Sequence, residues 1–227
     1  MKVSIIIPAF NEEKTISKII KLVKESNTIN FKKEIIVVDD GSTDKTREKI
    51  KKIKGIKKIF HDKNKGKGSA ILTGINYATG ELILIQDADL EYPPENYERL
   101  LKPFSNDKIQ VVYGTRFKGK MPKKIILHTF GNLVLSIATT VIFFKWISDM
   151  ETGYKVFRKK VIQNLDLKAK GFDFEPEVTG KLLKKNLNIV EIPIIFNPRS
   201  FEEGKKITWK DGIKALKTLI KVRFSND

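Results

Sequence analysis

The sequence predicts an α/β fold with a mostly parallel central sheet flanked by helices. Short β-branched runs alternate with amphipathic stretches through the first half, the pattern of successive βαβ units. The clusters rich in Asp, Asn, Gly and Pro fall directly after those runs, where open α/β sheets bind ligands. With 227 residues, 41% hydrophobic and without cysteine, the chain can bury a core with no disulfide, and it has neither a thiolate metal site nor a cysteine nucleophile.

A first strand is predicted over residues 2–7. Asn11 is a plausible helix cap, and Ile16, Ile19, Ile20 and Val23 then recur at helical spacing. A second strand over 34–38 runs into Asp39-Asp40-Gly41-Ser42-Thr43-Asp44, whose Ser and Thr can cap the next helix. A third strand is predicted over 56–60, a helix over 67–78 and a strongly apolar fourth strand over 81–86, with Pro93-Pro94 stopping continuation. After a fifth strand over 110–113 the alternation changes. A long apolar helix to 147, a polar turn over 148–153, a helix over 175–185, a strand over 189–195, a Gly- and charge-rich loop over 197–206 and a last helix from about 209 are predicted. No repeat or linker divides the chain, so one domain is expected over 1–227.

Lys and Arg number 44 against 27 Asp and Glu, a formal net charge of +17. That total suits nucleic acid, an anionic membrane or phosphorylated small molecules, and position must choose among them. Nucleic acid is disfavoured: the lysines are dispersed and no recognised binding motif is present. No segment has the make-up of a signal peptide, so a cytoplasmic protein is expected. The apolar stretch over 133–144 is shorter than the roughly 20 residues of a bilayer span.

Asp87-Ala88-Asp89-Leu90-Glu91 is the sharpest chemical signal. An extended backbone after the fourth strand would aim residues 87, 89 and 91 to one side, and three carboxylates there call for a hard divalent cation, Mg²⁺ or Mn²⁺, with a diphosphate. The loop after the first strand is Pro8-Ala9-Phe10-Asn11-Glu12, not G-x-G-x-x-G, and no G-x-x-x-x-G-K-[ST] occurs, so neither hydride transfer nor P-loop phosphoryl transfer is supported. Asp39 is placed to accept hydrogen bonds from a base or ribose.

In this order, Pro8-Ala9-Phe10-Asn11-Glu12, Val38-Asp39-Asp40-Gly41-Ser42-Thr43-Asp44, Asn64-Lys65-Gly66-Lys67-Gly68 and Asp87-Ala88-Asp89 resemble the nucleotide-sugar half of family 2 glycosyltransferases with the GT-A (nucleotide-diphospho-sugar transferase) fold. Gly114-Thr115-Arg116, Asp149-Met150-Glu151-Thr152-Gly153-Tyr154-Lys155, and Arg199 with Gly204-Lys205-Lys206 are similar to the dolichol-phosphate mannose synthase-like branch. The resemblance implies a nucleotide-sugar-binding half over 1–115 and an acceptor-binding half over 116–227. It implies nucleotide-sugar contacts at Pro8, Ala9, Phe10, Asn11, Glu12, Asp39, Gly68, Asp87, Ala88 and Asp89, and metal ligation by Asp87, Asp89 and Glu91. Catalytic roles are implied for Asp89, Arg116, Arg199 and Lys205, the last three near the donor diphosphate and acceptor phosphate. His128, Lys123 and Lys124 are alternatives for a further basic residue.

The activity implied is metal-dependent, inverting transfer of mannose or glucose from GDP-mannose or UDP-glucose to a polyprenyl or dolichyl phosphate at the cytoplasmic face. A glycan or other hydroxyl acceptor is the alternative, and it would need a carboxylate base, for which Asp149 and Glu151 are available. Lys206, Lys210, Lys214, Lys217 and Lys221 share one face of the last helix beside Trp209, Ile213, Leu216 and Ile220. Such a helix, with 133–144 and Lys145-Trp146, either lies on an anionic membrane surface or packs on the core; a separate membrane protein is a further possible partner.

Overall fold

The computed structural model describes residues 1–117, 126–198 and 209–225, with 126–130 and 209–210 described as backbone only. Strand β1 (Lys2–Ala9) leads to α1 (Ile16–Glu25), β2 (Lys32–Asp39), α2 (Thr46–Lys52), β3 (Lys57–Phe60), α3 (Lys67–Tyr77) and β4 (Leu82–Ile85). There follow α4 (Tyr97–Leu101), β5 (Val111–Thr115), α5 (Ile126–Phe143), β6 (Lys155–Arg158), α6 (Lys159–Gln163), α7 (Phe174–Lys184), β7 (Ile189–Pro193) and α8 (Trp209–Phe224).

The seven strands form one sheet in the order β3-β2-β1-β4-β6-β5-β7, which runs through both halves of the chain. β6 is antiparallel to β4 and β5, and the other pairings are parallel. Period-two alternation divides the core. Val3, Ile5 and Ile7 of β1 pack with Ile16, Ile19, Ile20 and Val23 of α1 on one face. Ile6, Ile36 and Ile83 meet Ile71 and Ile75 of α3, Val178 of α7 and Leu219 of α8 on the other.

Three expectations need correction. Asn11 does not cap a helix: α1 begins after Thr15, and Asn11 takes a positive φ of 54°. Ser42 and Thr43 do not cap α2, which follows Lys45 with no side-chain cap. They join the preceding loop, because Asn11 donates its N–H to Ser42 Oγ (3.0 Å) and its side-chain oxygen accepts from Thr43 N–H (2.9 Å). Strand β6 lies in the stretch with no predicted element. Its four residues carry charge at both ends, so the sequence lacks the apolar run that marks a strand, while in the sheet it lies between β4 and β5.

Candidate active site

Parallel register assembles the site. Ala9 pairs with Asp39, and Ile6 with Ile85, so β1, β2 and β4 end on one edge of the sheet. β5 ends there too, and β6 begins there because it runs the other way. The segments 8–12, 39–44, 87–91 and 115–116 and the turn 149–153 therefore converge.

The first two loops are stitched together by backbone donors. Glu12 N–H donates to Thr46 Oγ1 (2.8 Å), Glu13 N–H to Asp44 Oδ2 (3.1 Å) and Lys45 N–H to Glu13 Oε2 (3.1 Å). Asp39 is fully buried; its Oδ2 receives Arg47 Nε at 2.6 Å and its Oδ1 receives Ser42 N–H at 3.3 Å. Asp40 accepts from Lys65 N–H (2.9 Å) and Gly66 N–H (2.7 Å) and faces His61 Nδ1 (2.7 Å). It thereby fixes the loop that launches α3. Gly66 has φ +95°, and a Cβ on Gly68 would fall 2.5 Å from the Ala169 carbonyl oxygen. The small size of Gly68 thus serves packing of α3 against 169–171.

Beyond β4 the chain does not stay extended. It turns at 88–89 and Leu90 has φ +68°, so the extended backbone expected over residues 87–91 does not hold. Asp89 Oδ1 accepts the Glu91 N–H at 3.1 Å. Among the described residues no three His, Asp or Glu side chains are grouped to hold a metal on their own. The expected trio of Asp87, Asp89 and Glu91 is therefore not a closed cage.

Two carboxylates with phosphate oxygens is nevertheless the usual way proteins hold Mg²⁺, and the surroundings of Asp87 fit it. A Cβ on Gly153 would fall 2.3 Å from Asp87 Oδ2, so the absent side chain leaves that oxygen its space. Fully buried Gln86 holds this loop. Its amide donates to the carbonyls of Asp87 (2.9 Å) and Tyr92 (3.0 Å), while its oxygen accepts from Tyr97 (2.7 Å) and Tyr154 (2.8 Å).

The second half surrounds these acids with buried charge. Arg116 makes a bidentate pair with Asp149, Nε to Oδ2 at 2.8 Å and Nη2 to Oδ1 at 2.6 Å, and stacks 5.3 Å from the Phe196 ring centroid. Lys67 Nζ bridges Asp87 Oδ1 (2.8 Å) and Glu175 Oε1 (2.9 Å). Burial alone would lower the Lys67 pKa, but the two carboxylates carry it well above the usual lysine value. Lys155 donates to the carbonyls of Met150 (3.0 Å) and Thr152, and its ammonium sits 4.6 Å from the Tyr113 ring. Burial lowers its pKa to about 8 against the pull of Glu175, Glu151 and Asp149. Burial, then repulsion from Glu175, lifts Glu151 to about 7. Glu151 Oε1 and Glu175 Oε2 are buried with no hydrogen-bond partner.

Of the predicted site residues, Pro8, Ala9, Phe10, Asn11, Glu12, Asp39, Asp87, Ala88, Asp89 and Arg116 meet at this edge, while Arg199, Lys205, Lys123 and Lys124 lie outside the described residues. Sequence reasoning gave no role to Lys67, Glu175 or Gln86. A lysine opening a helix between two glycines, and a glutamate between Phe174 and Pro176 in a buried helix, were the available signals.

The fold and site define the class as an α/β protein with paired acids and basic side chains at the carboxyl edge of one open sheet. Residues 4–166 match the family described as glycosyl transferase family 2. The chain belongs to that family and is a glycosyltransferase with a GT-A fold. It is similar to a dolichol-phosphate mannosyltransferase of Pyrococcus furiosus, 32% identical over 90% of this chain and 59% of the relative. The chain thus spans about three-fifths of that protein's length. It is also similar to a UDP-N-acetylglucosamine–dolichyl-phosphate N-acetylglucosaminyltransferase of Methanococcus voltae, 31% identical over 89% of each chain. In fold it resembles glucosyl-3-phosphoglycerate synthase of Mycobacterium tuberculosis, crystallised with Mg²⁺ and UDP. That match has a TM-score of 0.75 at 18% identity over 100% of this chain and 80% of the other.

Proposed function

We propose that this glycosyltransferase moves a hexose from a nucleotide-sugar to a polyprenyl or dolichyl phosphate, with inversion and with help from Mg²⁺ or Mn²⁺. The observation that carries the reading is the Asp87–Asp89 pair at the end of β4, set among Lys67, Arg116 and the turn 149–153. The dolichyl-phosphate acceptors named for the two archaeal relatives support the acceptor class. Asp87 and Asp89 would hold the divalent ion, which when bound offsets the negative charge that builds on a departing nucleoside diphosphate. Residues 8–12 and Asp39 would hold the nucleoside, and Arg116, Arg199 and Lys205 the phosphates. An acceptor phosphate oxygen forms the new bond to the anomeric carbon as the bond to the diphosphate oxygen breaks. That oxygen is already anionic near neutral pH and needs no base.

The division into a donor half over 1–115 and an acceptor half over 116–227 belongs to the same proposal, as does work at an anionic membrane surface on the cytoplasmic face. No helix among the described residues is long and apolar enough to cross a membrane. The outer sides of α5 and α8, which pack together, support surface attachment. On α8, Ala215, Leu219 and Val222 are buried, while Ile213, Leu216, Ile220 and Phe224 face out beside the exposed Lys217 and Lys221. On and just after α5, Val141 (64% exposed), Phe144 (84%) and Trp146 (71%) do the same.

A second reading, transfer to a glycan hydroxyl, rests on Glu151, whose pKa near 7 is where a general base is effective. Asp149 is committed to Arg116. Labelled GDP-mannose, UDP-glucose and UDP-N-acetylglucosamine, each given with a polyprenyl phosphate and a saccharide side by side, decide between them. Transfer to the lipid is expected, and product on the saccharide alone overturns the first reading.

A further inference from the structure

Lys155 opens β6 opposite Tyr113 of β5 and is 1% exposed. Lysine is almost never buried so completely unless its charge is matched. Its ammonium donates to the carbonyls of Met150 (3.0 Å) and Thr152, both in the turn 149–153. The N–H groups of that turn are served from other segments. Asp149 N–H donates to Glu191 of β7 (3.2 Å), Met150 N–H to Ser136 of α5 (3.0 Å) and Gly153 N–H to the Tyr92 hydroxyl (3.1 Å). What the turn carries is the seat of Arg116, since Asp149 accepts the Arg116 backbone N–H at 2.9 Å as well as its guanidinium. On its other side the turn abuts the loop beyond β4, where a Cβ on Gly153 would fall 2.3 Å from Asp87 Oδ2.

We propose that Lys155 is a positioning residue for transfer: its ammonium clamps two carbonyls of the turn 149–153 and so sets Arg116 against the acidic loop beyond β4. The inference rests on the reading above that Arg116 faces the phosphates. A charged donor holds a buried carbonyl more firmly than a neutral one. Displacing a phosphate-binding guanidinium by about 1 Å can cost about a hundredfold in rate. The groups facing the ammonium are Glu175 of α7, Glu151 and Asp149 of the turn and Lys67 of α3, with the Tyr113 ring of β5 4.6 Å away. Burial outweighs the three carboxylates and brings the lysine to about 8. Loss of its proton above that pH slackens the turn, although the folded state as a whole gains stability there. Activity and stability therefore part company on the alkaline side, whereas a purely structural lysine would make them move together.

The test compares wild type, Lys155→Met and Lys155→Arg by amide hydrogen–deuterium exchange at pH 7 and by transfer kinetics from pH 6 to 10. In Lys155→Met, exchange should quicken about tenfold or more over 148–154 and hardly at all in β1, β2 and β4. Its kcat should fall about a hundredfold, while KM for the donor changes about threefold or less. Wild-type kcat should fall about tenfold between pH 7 and 9, and Lys155→Arg, charged throughout, should lose that decline. Exchange that is unchanged over 148–154, or that quickens alike across the sheet, overturns the inference, and so does a wild-type kcat in Lys155→Met. If Lys155→Met does not fold, the pH profiles decide: a decline in Lys155→Arg equal to that of wild type overturns it. Failure of the functional reading looks different. Wild type then transfers sugar to neither lipid phosphate nor saccharide while exchange over 148–154 still answers to Lys155→Met, and the positioning role falls with that reading.

Discussion

Two sets of acids border the carboxyl edge of the sheet, and they are provided for differently. After β2, Asp39 and Asp40 are buried, with both oxygens of each matched by hydrogen-bond partners: Ser42 N–H and Arg47, close by in sequence, for one, and Lys65 N–H, Gly66 N–H and His61 of the loop before α3 for the other. Around β6 and α7, half-buried Glu151 and buried Glu175 each keep one buried oxygen without a hydrogen bond, and their charge is balanced by lysines and an arginine. A carboxylate fully served by backbone N–H groups fixes a loop. One left partly unserved at an energetic cost marks a place where charge is meant to be rearranged.

The sharpest break of this comparison is Asp89→Ala. Transfer should fall by about a thousandfold or more, with the melting temperature hardly changed, because the substitution removes charge repulsion and one bond to Glu91 N–H. Wild-type turnover by this variant, or by wild type in excess chelator, removes the metal from the mechanism. Asp40→Ala should do the opposite. It removes an acceptor from the part-buried Lys65 and Gly66 N–H groups and from buried His61, costing about 2 kcal/mol in chemical denaturation, while activity per folded molecule falls far less. Loss of turnover at unchanged stability would move Asp40 into the other set.

The pH dependence of stability sharpens the contrast next. Glu151 faces Glu175 of α7, Lys155 of β6, and Arg116 and Asp149 at the ends of their loops. Its pKa rises from 4.5 to about 7 on folding, so the native state binds more protons between those values and stability declines as pH climbs from 5 to 7. Lys155 falls from 10.5 to about 8, so the unfolded state binds more protons above pH 8 and stability recovers there. A trough near pH 7–8, about 1–3 kcal/mol deep, is expected in urea melts, and Glu151→Gln should flatten its acid side. A wild-type curve that climbs through pH 5–7 contradicts this placement of Glu151. The smallest effect on stability belongs to Val141→Ser with Phe144→Ser, about 0.5 kcal/mol or less each at such exposed sites. The pair should nonetheless weaken sedimentation with anionic vesicles; unchanged sedimentation removes α5 from the membrane reading.

The loops after β1 and β2 were legible in the sequence because the turns they make are local. A β-branched run followed by Pro, Asn and Glu, or by Asp-Asp-Gly, places a turn at a strand end whatever else the chain does. The parallel arrangement then brings those turns to one edge. The misreadings have the same origin. Asn11, Ser42 and Thr43 carry the chemistry of helix caps, and only the neighbouring loop 31 or 32 residues away shows that their hydrogen bonds go sideways. The alternation argument for residues 87, 89 and 91 assumed an extended chain that Leu90 interrupts.

By itself, then, the sequence determined the order of the first five strands with the helices among the first three and between the third and fourth, the faces they bury and the acidic loop beyond β4. Periodicity, turn chemistry and charge type are written in neighbouring residues and need no partner to act. Tertiary structure alone decided that β6 enters the sheet backwards, that Arg116 is held by Asp149, and that Lys67 is shared between Asp87 and Glu175, 20 and 108 positions away. Buried ion pairs owe their strength to exclusion of water, and water is excluded only once distant segments have closed over them.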